Sequence, residues 1–408
     1  MDIRINPSKL SGRLSIPASK SCAHRAIICA ALANGKSVIS GVTMSKDIEA
    51  TICSMKALGA EFKINGDTIT VNGILAPSRK AIMDCGESGS TLRFVIPIAA
   101  ALGTDAEFLG KGRLPQRPID IYKRELGRNG VTFLNEAMPY NITGKLCGGI
   151  YNIEGDVSSQ FVTGLLFALP LLDDDSDIVL TSHLESRPYV DITVDILRRF
   201  GISIEETESG YHINGGQKYI PHDEKIEGDY SQAAFFYVAN ALGSDVTLEN
   251  LSESSVQGDK KIIEIISDTC KDGRIGCYRV DCSDIPDLVP VLSVLGAFGS
   301  GESVIYNAKR LRIKESDRLE STAEMLNSLG GDVTVTDDGL IIRPTGNMRG
   351  GIVNSFGDHR IVMAAAIAAT AVKDEVVIKG AEAAEKSYPG FINDYRMLGG
   401  AADVIVLD

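Results

Sequence analysis

The sequence has no Cys-x-x-Cys pair, and its five histidines form no cluster. Both features are typical of structural zinc sites, so their absence argues against a bound metal. The eight cysteines are widely spaced, and a chain of 408 residues can bury its own core without disulfides. We therefore expect reduced core thiols, with neither a metal site nor a disulfide framework.

The sequence also lacks a long apolar run and a signal-peptide core. Its most apolar stretch, residues 361–372, is rich in alanine and too short to cross a bilayer, which predicts a buried helix. The first residues, Met1-Asp2-Ile3-Arg4, contain no apolar segment of the kind that directs export. We expect a cytoplasmic protein that has no membrane partner.

Basic residues are fewer than acidic ones, 41 against 54, and the net charge is −13. This balance argues against binding to nucleic acid or to an anionic membrane, because either partner requires a basic face. The cations that are present, such as Lys20, Arg25 and Arg93, concentrate at helix starts and in loops. Such focused cations on an acidic protein predict small anionic substrates.

Six segments of the sequence follow one pattern: an apolar helix, a turn marked by Gly or Asp, a strand, a second helix and a strand pair. The turn-and-strand steps fall roughly 60 to 75 residues apart, at residues 35–39, 103–109, 175–180, 243–248, 301–305 and 374–378. A glycine suited to a left-handed helix terminus closes most of the second helices, at Gly59, Gly127, Gly201, Gly330 and Gly399. The pattern predicts a βαβαββ repeat.

The sixth copy reaches the last residue after a strand at residues 403–406, without the final strands of its siblings. The strand-like residues 2–5 and 13–16 are therefore expected to return and complete it. This closure predicts two lobes of three repeats, residues 18–227 and residues 1–17 with 228–408. We expect the active site in the cleft between the lobes, where a two-strand connection permits hinge closure.

Three helix starts, at residues 18–25, 86–93 and 157–160, carry hydroxyl groups, and two of them also carry cations. Ordinary helix capping accounts for any one of them, but three in corresponding places favour phosphate binding. Nucleotide motifs are incomplete, because Ala30 stands where a P-loop needs its first glycine and Pro115 where a dinucleotide fingerprint needs one. We therefore expect neither an ATP nor an NAD cofactor.

The second half of the sequence adds charged segments at residues 285–287, 312–318 and 357–360. Lys314 and Arg318 are predicted to share a helix face, with Glu315 beside them. This combination offers anion binding and a carboxylate for proton transfer. The alternative interpretation of this segment is a solvated helix face with local ion pairs.

Nine motifs, in order along essentially the whole chain, resemble those of the 5-enolpyruvylshikimate 3-phosphate synthase (3-phosphoshikimate 1-carboxyvinyltransferase) family. They are Ser19-Lys20-Ser21-x3-Arg25, Ser88-Gly89-Ser90-x2-Arg93, Gln116-Arg117-Pro118, Ser158-Ser159-Gln160, Ser186-Arg187-Pro188-Tyr189, Ile285-Pro286-Asp287, Lys314-Glu315-Ser316-Asp317-Arg318, Asp358-His359-Arg360 and Lys386. The resemblance implies the enolpyruvyl transferase fold, a two-lobed inside-out α/β barrel of six βαβαββ repeats. It further implies transfer of the enolpyruvyl group of phosphoenolpyruvate to the 5-hydroxyl of shikimate 3-phosphate, with release of phosphate, through a tetrahedral ketal. This step belongs to chorismate and aromatic amino-acid biosynthesis.

The resemblance also implies which residues bind the two substrates. Shikimate 3-phosphate would contact Lys20, Ser21, Arg25, Ser158, Ser159, Gln160, Ser186, Tyr189, Asp287 and Lys314. Phosphoenolpyruvate would contact Lys20, Gly89, Arg117, Gln160, Arg318, Arg360 and Lys386. Asp287 would be the base near the attacking hydroxyl, while Glu315 and Lys20 would handle protons at the methylene carbon and the leaving phosphate. We expect a monomer that needs no cofactor.

Glu87 departs from the family pattern, in which asparagine is common shortly before the glycine of the phosphoenolpyruvate loop. An ionised carboxylate repels a trianion, so the Glu87 side chain is expected to point away from the substrate.

Two alternative functions stay open. The related UDP-N-acetylglucosamine carboxyvinyltransferases share the fold and the donor, but typically present a reactive cysteine in a loop that here, at residues 110–117, has none. A non-catalytic repeat protein that binds anions would keep the cations without requiring Asp287 and Glu315 together.

Overall fold

The computed structural model describes residues 1–405. It divides into two compact units, which we call unit 1 (Met1–Pro17 with Gly228–Asp408) and unit 2 (Ala18–Glu227). These boundaries coincide with the residues at which the repeat pattern places the two crossings of the chain. Val406, which the sequence analysis assigns to the last strand, lies outside the described residues.

The described part of the chain forms twelve α-helices and 24 strands. The helices are α1 Lys20–Leu32, α2 Lys46–Ala57, α3 Gly89–Ala101, α4 Asp120–Arg128, α5 Ser159–Ala168, α6 Arg187–Arg199, α7 Tyr230–Ala241, α8 Ile262–Thr269, α9 Val289–Ala297, α10 Arg318–Ser328, α11 His359–Ala369 and α12 Phe391–Met397. The strands are β1 Asp2–Asn6, β2 Ser11–Ser15, β3 Lys36–Ser40, β4 Glu61–Asn65, β5 Thr68–Asn72, β6 Lys80–Asp84, β7 Asp105–Leu109, β8 Val131–Phe133, β9 Tyr140–Gly144, β10 Ile150–Ile153, β11 Ser176–Leu180, β12 Glu205–Thr207, β13 Gly210–Ile213, β14 Glu224–Lys225, β15 Asp245–Glu249, β16 Cys270–Lys271, β17 Arg274–Ile275, β18 Arg279–Asp281, β19 Ser303–Tyr306, β20 Asp332–Val335, β21 Leu340–Arg343, β22 Gly351–Asn354, β23 Val376–Lys379 and β24 Ala401–Ile405.

One sheet arrangement recurs five times. Unit 2 contains sheets in the orders β14-β3-β5-β4, β6-β7-β9-β8 and β10-β11-β13-β12, and unit 1 contains β18-β19-β21-β20 and β22-β23-β1-β24. In each sheet the first two strands are parallel and the other pairs are antiparallel. The predicted βαβαββ repeat is confirmed, and no sheet within residues 1–405 closes on itself.

The fourth repeat is divided between a β2–β15 parallel pair and a β16–β17 hairpin. The prediction that residues 13–16 complete the sixth repeat is wrong, because Arg13 pairs with Thr247 of β15. Residues 2–5 do complete it, since β1 lies between β23 and β24, with Ile3 opposite Ile378. The strand before α1 is β2, which pairs within unit 1 although α1 lies in unit 2. The strand before α7 is β14, which pairs within unit 2 although α7 lies in unit 1. The two crossings of the chain therefore exchange the leading strands of the first and fourth repeats.

The first helix of most repeats is buried on every face. All eleven residues of α11 are buried, as predicted for residues 361–372, and so are all nine residues of α9, while α3 and α5 each leave a single residue partly exposed. The second helices, such as α4 and α6, bury only one face. Apolar helices therefore fill a separate core in each unit. Within residues 1–405 no helix has both the length and the apolar character needed to span a bilayer.

Positive φ angles occur at four of the five glycines predicted to close second helices, namely Gly59, Gly201, Gly330 and Gly399. The prediction for Gly127 is wrong, because Gly127 lies inside α4 and the left-handed turn comes at Gly130, with φ 97°. A helical glycine costs only about 1 kcal/mol, and the Arg128–Glu125 ion pair, at 3.0 Å, holds the added turn.

The expectation of core thiols is only partly right. Four cysteines are buried, at Cys22, Cys29, Cys85 and Cys282, whereas Cys53, Cys147 and Cys277 are exposed. Cys53 lies on the solvent face of α2, whose buried face is formed by residues such as Ile48 and Ile52.

Candidate active site

In unit 1, one fully buried arginine holds three carboxylates. Arg318, which is 1% exposed, donates from Nε to Asp358 Oδ2 at 2.9 Å, from Nη1 to Asp287 Oδ1 at 3.0 Å and from Nη2 to Glu315 Oε2 at 2.6 Å. Arg360 donates from Nη2 to the second Asp287 oxygen at 2.8 Å. We call these five residues the carboxylate–arginine cluster.

Helix starts position most of this cluster. The Asp358 side chain accepts the Arg360 N–H at 2.9 Å and thereby caps α11, which fixes both residues at its first turn. Asp287 lies in the 3₁₀ turn Pro286–Leu288 that leads into α9. Three separate segments therefore bring their charged side chains to one point in unit 1.

The prediction that Lys314 and Arg318 share a helix face is wrong. The Asp317 side chain accepts the N–H of Glu320 at 3.3 Å, and this cap starts α10 only at Arg318. Lys314 instead follows the 3₁₀ turn Lys309–Ile313 and has an extended backbone.

Burial and neighbouring charges set the protonation of the cluster. Burial lowers the pKa of Lys314 to about 8, against an opposing influence from Asp287 and Glu315. Burial also disfavours charge on Arg318 and Asp358. For Arg318 the attraction of Asp358, Glu315 and Asp287 together outweighs burial and raises its pKa, and for Asp358 the influence of Arg318, with that of His359, lowers its pKa. Three cations, Arg318, Arg360 and Lys314, thus accompany three carboxylates.

Residues at the start of α7 support this site, and sequence reasoning missed them. Ser231 Oγ accepts from Arg360 Nη2 at 3.2 Å and donates to Asp229 Oδ1 at 2.5 Å. Gln232 Nε2 donates to Ser387 Oγ at 2.9 Å and so ties α7 to the residue after Lys386. The signal was available in the sequence, because Asp229-x-Ser231 follows a strand as Ser19-x-Ser21 does.

Lys386 lies in the 3₁₀ turn Ala381–Lys386, and its Nζ donates to the carbonyl of Gly357 at 3.0 Å. Gly357 directly precedes the Asp358 cap, so Lys386 lies next to the turn that leads into α11 and Arg360.

In unit 2, the first candidate group lies at the start of α1. Ser19 caps the helix by accepting the N–H of Cys22, as the sequence predicts. Lys20 Nζ donates to Asp47 Oδ2 at 3.0 Å. Sequence reasoning missed Asp47, an acidic residue in the first turn of α2, although a carboxylate behind the Ser45 cap is a typical helix start.

Arg25 is 3% exposed and joins α1 to α6. Its Nε donates to Thr193 Oγ1 at 2.7 Å, Nη1 to the Ser21 carbonyl at 2.8 Å and Nη2 to the Tyr189 carbonyl at 2.7 Å. Burial lowers its pKa to about 10, which leaves it charged at neutral pH. Arg25 therefore fixes the backbone of two other candidate residues, Ser21 and Tyr189.

A second buried arginine orients Gln160. Arg93 Nη1 donates to Gln160 Oε1 at 2.8 Å, and Gln160 Nε2 donates to Ser90 Oγ at 2.8 Å. Arg93 also lies over the Phe161 ring, with 5.0 Å between its Cζ and the ring centroid. Because Arg93 can only donate, it fixes which end of the Gln160 amide carries the N–H groups.

Gly89, the first residue of α3, lies against Arg117. A Cβ at Gly89 would be 2.5 Å from Arg117 Nη1, so a larger residue here would displace the Arg117 guanidinium. Glu87 lies against another glycine, since a Cβ at Gly112 would be 2.7 Å from Glu87 Cδ. The exposed Glu87 side chain thus contacts the loop that precedes Arg117.

The serines of the remaining motifs also lie at helix starts. Ser158 caps α5 by accepting the Gln160 N–H, and Ser159 is buried as its first residue. Ser186 precedes α6 with φ 56°, a left-handed conformation that is uncommon for a non-glycine residue. Tyr189, in the first turn of α6, accepts from Arg25 and Thr193 through its carbonyl.

The structure therefore brings the predicted residues together in groups. Asp287, Glu315, Arg318 and Arg360 share one network in unit 1, with Lys314 beside it. In unit 2, α1 carries Lys20, Ser21 and Arg25, and Arg25 reaches Tyr189, while Gly89 meets Arg117 and Gln160 meets Ser90. Within residues 1–405, no three His, Cys, Asp or Glu side chains are grouped so that they could hold a metal ion.

Known proteins resemble this chain along almost its whole length. The family model of EPSP synthase (3-phosphoshikimate 1-carboxyvinyltransferase) matches residues 5–395. A 3-phosphoshikimate 1-carboxyvinyltransferase of Clostridium perfringens is 45% identical, covering 97% of this chain and 98% of the relative, and one of Clostridioides difficile is 40% identical, covering 98% of each.

Solved structures show the same fold. An EPSP synthase from Acinetobacter baumannii superposes with a TM-score of 0.85 at 25% identity, over 99% of this chain and 100% of that one. The enolpyruvyl transferase NikO from Streptomyces tendae superposes with a TM-score of 0.80 at 18% identity, over 100% of this chain and 99% of that one.

Proposed function

The chain belongs to the EPSP synthase family of 3-phosphoshikimate 1-carboxyvinyltransferases, and we propose that residues of both its units act on the two substrates. The protein transfers the enolpyruvyl group of phosphoenolpyruvate to shikimate 3-phosphate, a step of aromatic amino-acid biosynthesis. The enolpyruvyl transferase fold is shared with the solved relatives.

We assign shikimate 3-phosphate to hydroxyl groups and cations of both units. The assigned residues are Lys20, Ser21, Arg25, Ser158, Ser159, Gln160, Ser186, Tyr189, Asp287 and Lys314. The capped starts of α1 and α5 support this assignment, since N–H groups and hydroxyls gathered at a helix start are suited to a phosphate. Arg25, which donates to two backbone carbonyls, would hold Ser21 and Tyr189 in place as well as add positive charge.

Phosphoenolpyruvate is assigned to Lys20, Gly89, Arg117, Gln160, Arg318, Arg360 and Lys386. The close packing of Arg117 on Gly89 supports this assignment, because it leaves the guanidinium beside a helix start. Planar guanidinium groups can bind carboxylate and phosphate through two parallel hydrogen bonds.

The observation that carries the mechanism is the pairing of both Asp287 oxygens with arginines, Oδ1 with Arg318 and Oδ2 with Arg360. A carboxylate held in this way is a weak base, because two guanidinium groups favour its ionised form. When the carboxylate of phosphoenolpyruvate binds these arginines, it competes with Asp287 for their N–H groups. Substrate binding would therefore release Asp287 to accept the proton of the attacking 5-hydroxyl.

The reaction then needs a proton at the methylene carbon of phosphoenolpyruvate, which we assign to Glu315 and Lys20. Protonation leaves carbon 2 cationic, the 5-hydroxyl oxygen forms a bond to it, and Asp287 takes the hydroxyl proton to give the ketal. Elimination breaks the bond between carbon 2 and the phosphate oxygen, and the methyl group returns a proton to Glu315 and Lys20. The leaving phosphate takes up the proton that Asp287 removed from the hydroxyl, so that all three groups regain their starting protonation. Glu315 Oε2 accepts a hydrogen bond from Arg318 Nη2 at 2.6 Å, so the same arginine positions both Glu315 and Asp287.

The direct test measures phosphate release from phosphoenolpyruvate with shikimate 3-phosphate, and with UDP-N-acetylglucosamine as the competing acceptor. We expect release only with shikimate 3-phosphate, and release only with the sugar would contradict the assigned acceptor.

Asp287→Ala and Glu315→Gln should bind substrate yet lose at least 100-fold in kcat, roughly the contribution of a general acid or base. The matched control is Glu320→Gln, which removes an exposed carboxylate of α10. Near-normal turnover in both site variants would refute these roles.

We also propose that the protein is a cytoplasmic monomer. Each unit buries its own apolar core, so folding requires no second chain. None of the eight cysteines, all within residues 1–405, forms a disulfide, which suits a reducing compartment. Sedimentation equilibrium should give the 43.6 kDa mass of one chain, and cell fractionation should recover the activity with the cytosol. A stable dimer, or recovery outside the cytosol, would contradict the respective proposal.

A further inference from the structure

A continuous chain of side-chain hydrogen bonds joins three helices of unit 2. His24 Nδ1 of α1 is 2.7 Å from Thr51 Oγ1 of α2, which is 2.8 Å from Thr91 Oγ1 of α3. Thr91 Oγ1 in turn donates to Ser88 Oγ, also at 2.8 Å. All four side chains are at most 2% exposed, and we call them the His24–Ser88 chain.

Counting hydrogens fixes the direction of this chain. A hydroxyl has one hydrogen to donate, and Thr91 gives its hydrogen either to Ser88 Oγ at 2.8 Å or to the Asp47 carbonyl at 3.4 Å, in both cases away from Thr51. Thr51 must then donate to Thr91, and the His24 ring must donate to Thr51 through a protonated Nδ1. Nε2 of His24 has no hydrogen-bond partner among residues 1–405, so this tautomer leaves a lone pair rather than a buried N–H unpaired. Burial holds the His24 pKa near 3, and the ring is therefore neutral at working pH.

The chain reaches two residues of the proposed site. Ser88 caps α3 by accepting the Thr91 N–H at 3.2 Å, and it directly precedes Gly89. Thr91 Oγ1 also lies 3.4 Å from the carbonyl of Asp47, whose side chain holds Lys20 at 3.0 Å. The four hydroxyl and imidazole groups thus lie directly behind both the glycine and the lysine assigned to phosphoenolpyruvate.

We propose that His24, Thr51 and Thr91 are positioning residues for the enolpyruvyl transfer, acting by fixing the α3 start and the Lys20–Asp47 pair relative to each other. This proposal rests on the assigned roles of Gly89 and Lys20. The hydrogens of His24, Thr51 and Thr91 are donated in one direction, so a methyl group in place of either threonine hydroxyl removes the hydrogen bonds to both of its neighbours in the chain. Buried groups that lose a partner in this way shift to find another.

The test replaces single hydroxyls by methyl groups. We expect Thr51→Val and Thr91→Val each to lower kcat/KM for phosphoenolpyruvate roughly tenfold, the effect of one lost buried hydrogen bond. The double variant should lose about as much as either single one, because both changes break the same chain. Thr51→Ser keeps the hydroxyl and should restore the wild-type value.

The matched control is Thr104→Val. Thr104 is fully buried in the same unit and donates to the Ser78 carbonyl at 2.7 Å, outside the chain. It should lose stability as the other variants do but retain kcat/KM. A Thr51→Val protein with the control's kcat/KM, or a double variant whose losses multiply, would overturn the positioning role.

Two further measurements separate this proposal from the site assignment and from misfolding. Gly89→Ala should raise KM for phosphoenolpyruvate. If it does so while Thr51→Val has no effect, only the positioning role fails, whereas a wild-type KM in Gly89→Ala removes the Gly89 assignment and this proposal with it. Nitrogen-15 spectra of the folded wild-type protein should show His24 protonated at Nδ1, and protonation at Nε2 would refute the derived direction of the chain.

Discussion

His24 provides a quantitative test of the burial of α1. The ring is 1% exposed, and burial lowers its pKa from 6.5 to about 3. Three charged groups act on it: Asp47 favours protonation, while Lys20 and Arg25 disfavour it. His24→Asn is the informative change, because the Asn amide can still donate to Thr51 Oγ1 but does not titrate.

The sign of the effect follows from the two pKa values. The pKa of His24 is lower in the folded state, so the unfolded chain binds more protons between pH 6.5 and pH 3. The contribution of His24 to stability is therefore complete above pH 6.5 and is lost as the pH falls through this range. A pH of 5 is about 1.5 units below the pKa of the ring in the unfolded chain. His24 therefore lowers the free energy of unfolding by about 2 kcal/mol at pH 5 relative to pH 7.5.

The assay compares urea unfolding of the wild type and His24→Asn at pH 7.5 and pH 5. The other titrating groups are common to both proteins and cancel in the comparison. The fall in the free energy of unfolding between the two pH values should be about 2 kcal/mol smaller in the variant. Equal falls in the two proteins would show that the folded state protonates His24, and the argument from burial would be refuted.

Three further predictions concern the proposed site. Affinity for shikimate 3-phosphate, measured by calorimetry, should fall as the pH rises through about 8, because Lys314 then loses its proton. In Lys314→Arg the affinity should stay constant over this pH range. A wild-type affinity that does not change up to pH 9.5 would contradict the role of Lys314. Arg318→Met leaves the fully buried Asp358 without its counter-charge and should cost about 3 to 5 kcal/mol in urea unfolding, so unchanged stability would count against the described pairing. Gly89→Ala places a Cβ 2.5 Å from Arg117 Nη1 and should raise KM for phosphoenolpyruvate several-fold while leaving KM for shikimate 3-phosphate unchanged, and an unaffected KM for phosphoenolpyruvate would argue against this contact.

The sequence was sufficient for the repeated fold because each repeat uses strong local signals. Apolar helices, glycines after the second helices and hairpin turns recur at a fixed spacing, and the sheets of the structure repeat accordingly. The fate of residues 13–16 could not be derived in the same way. A short strand with one buried side chain, Leu14, can pair with any free edge, and only the complete fold selects β15.

The site shows a similar division. Caps at Ser19, Ser88 and Ser158 were predictable, because serine before a helix has a local role. The partners that hold the charged groups were not, since Asp47 and Ser231 are distant in sequence from the groups they bind. The position of Lys314 was misjudged because the Asp317 cap competes with the apparent helical spacing.

The exchanged strands make the order of synthesis matter for this protein. Every strand of the unit 2 sheets lies between β3 and β14, so the ribosome delivers that unit in one uninterrupted stretch. By contrast, β1 must wait for β23 and β24, which emerge about 370 residues later, or roughly 20 to 75 s at typical translation rates. During that interval the alternating Ile3 and Ile5 of β1 lack the strands that later cover them, and such an unpaired apolar edge is a site of aggregation.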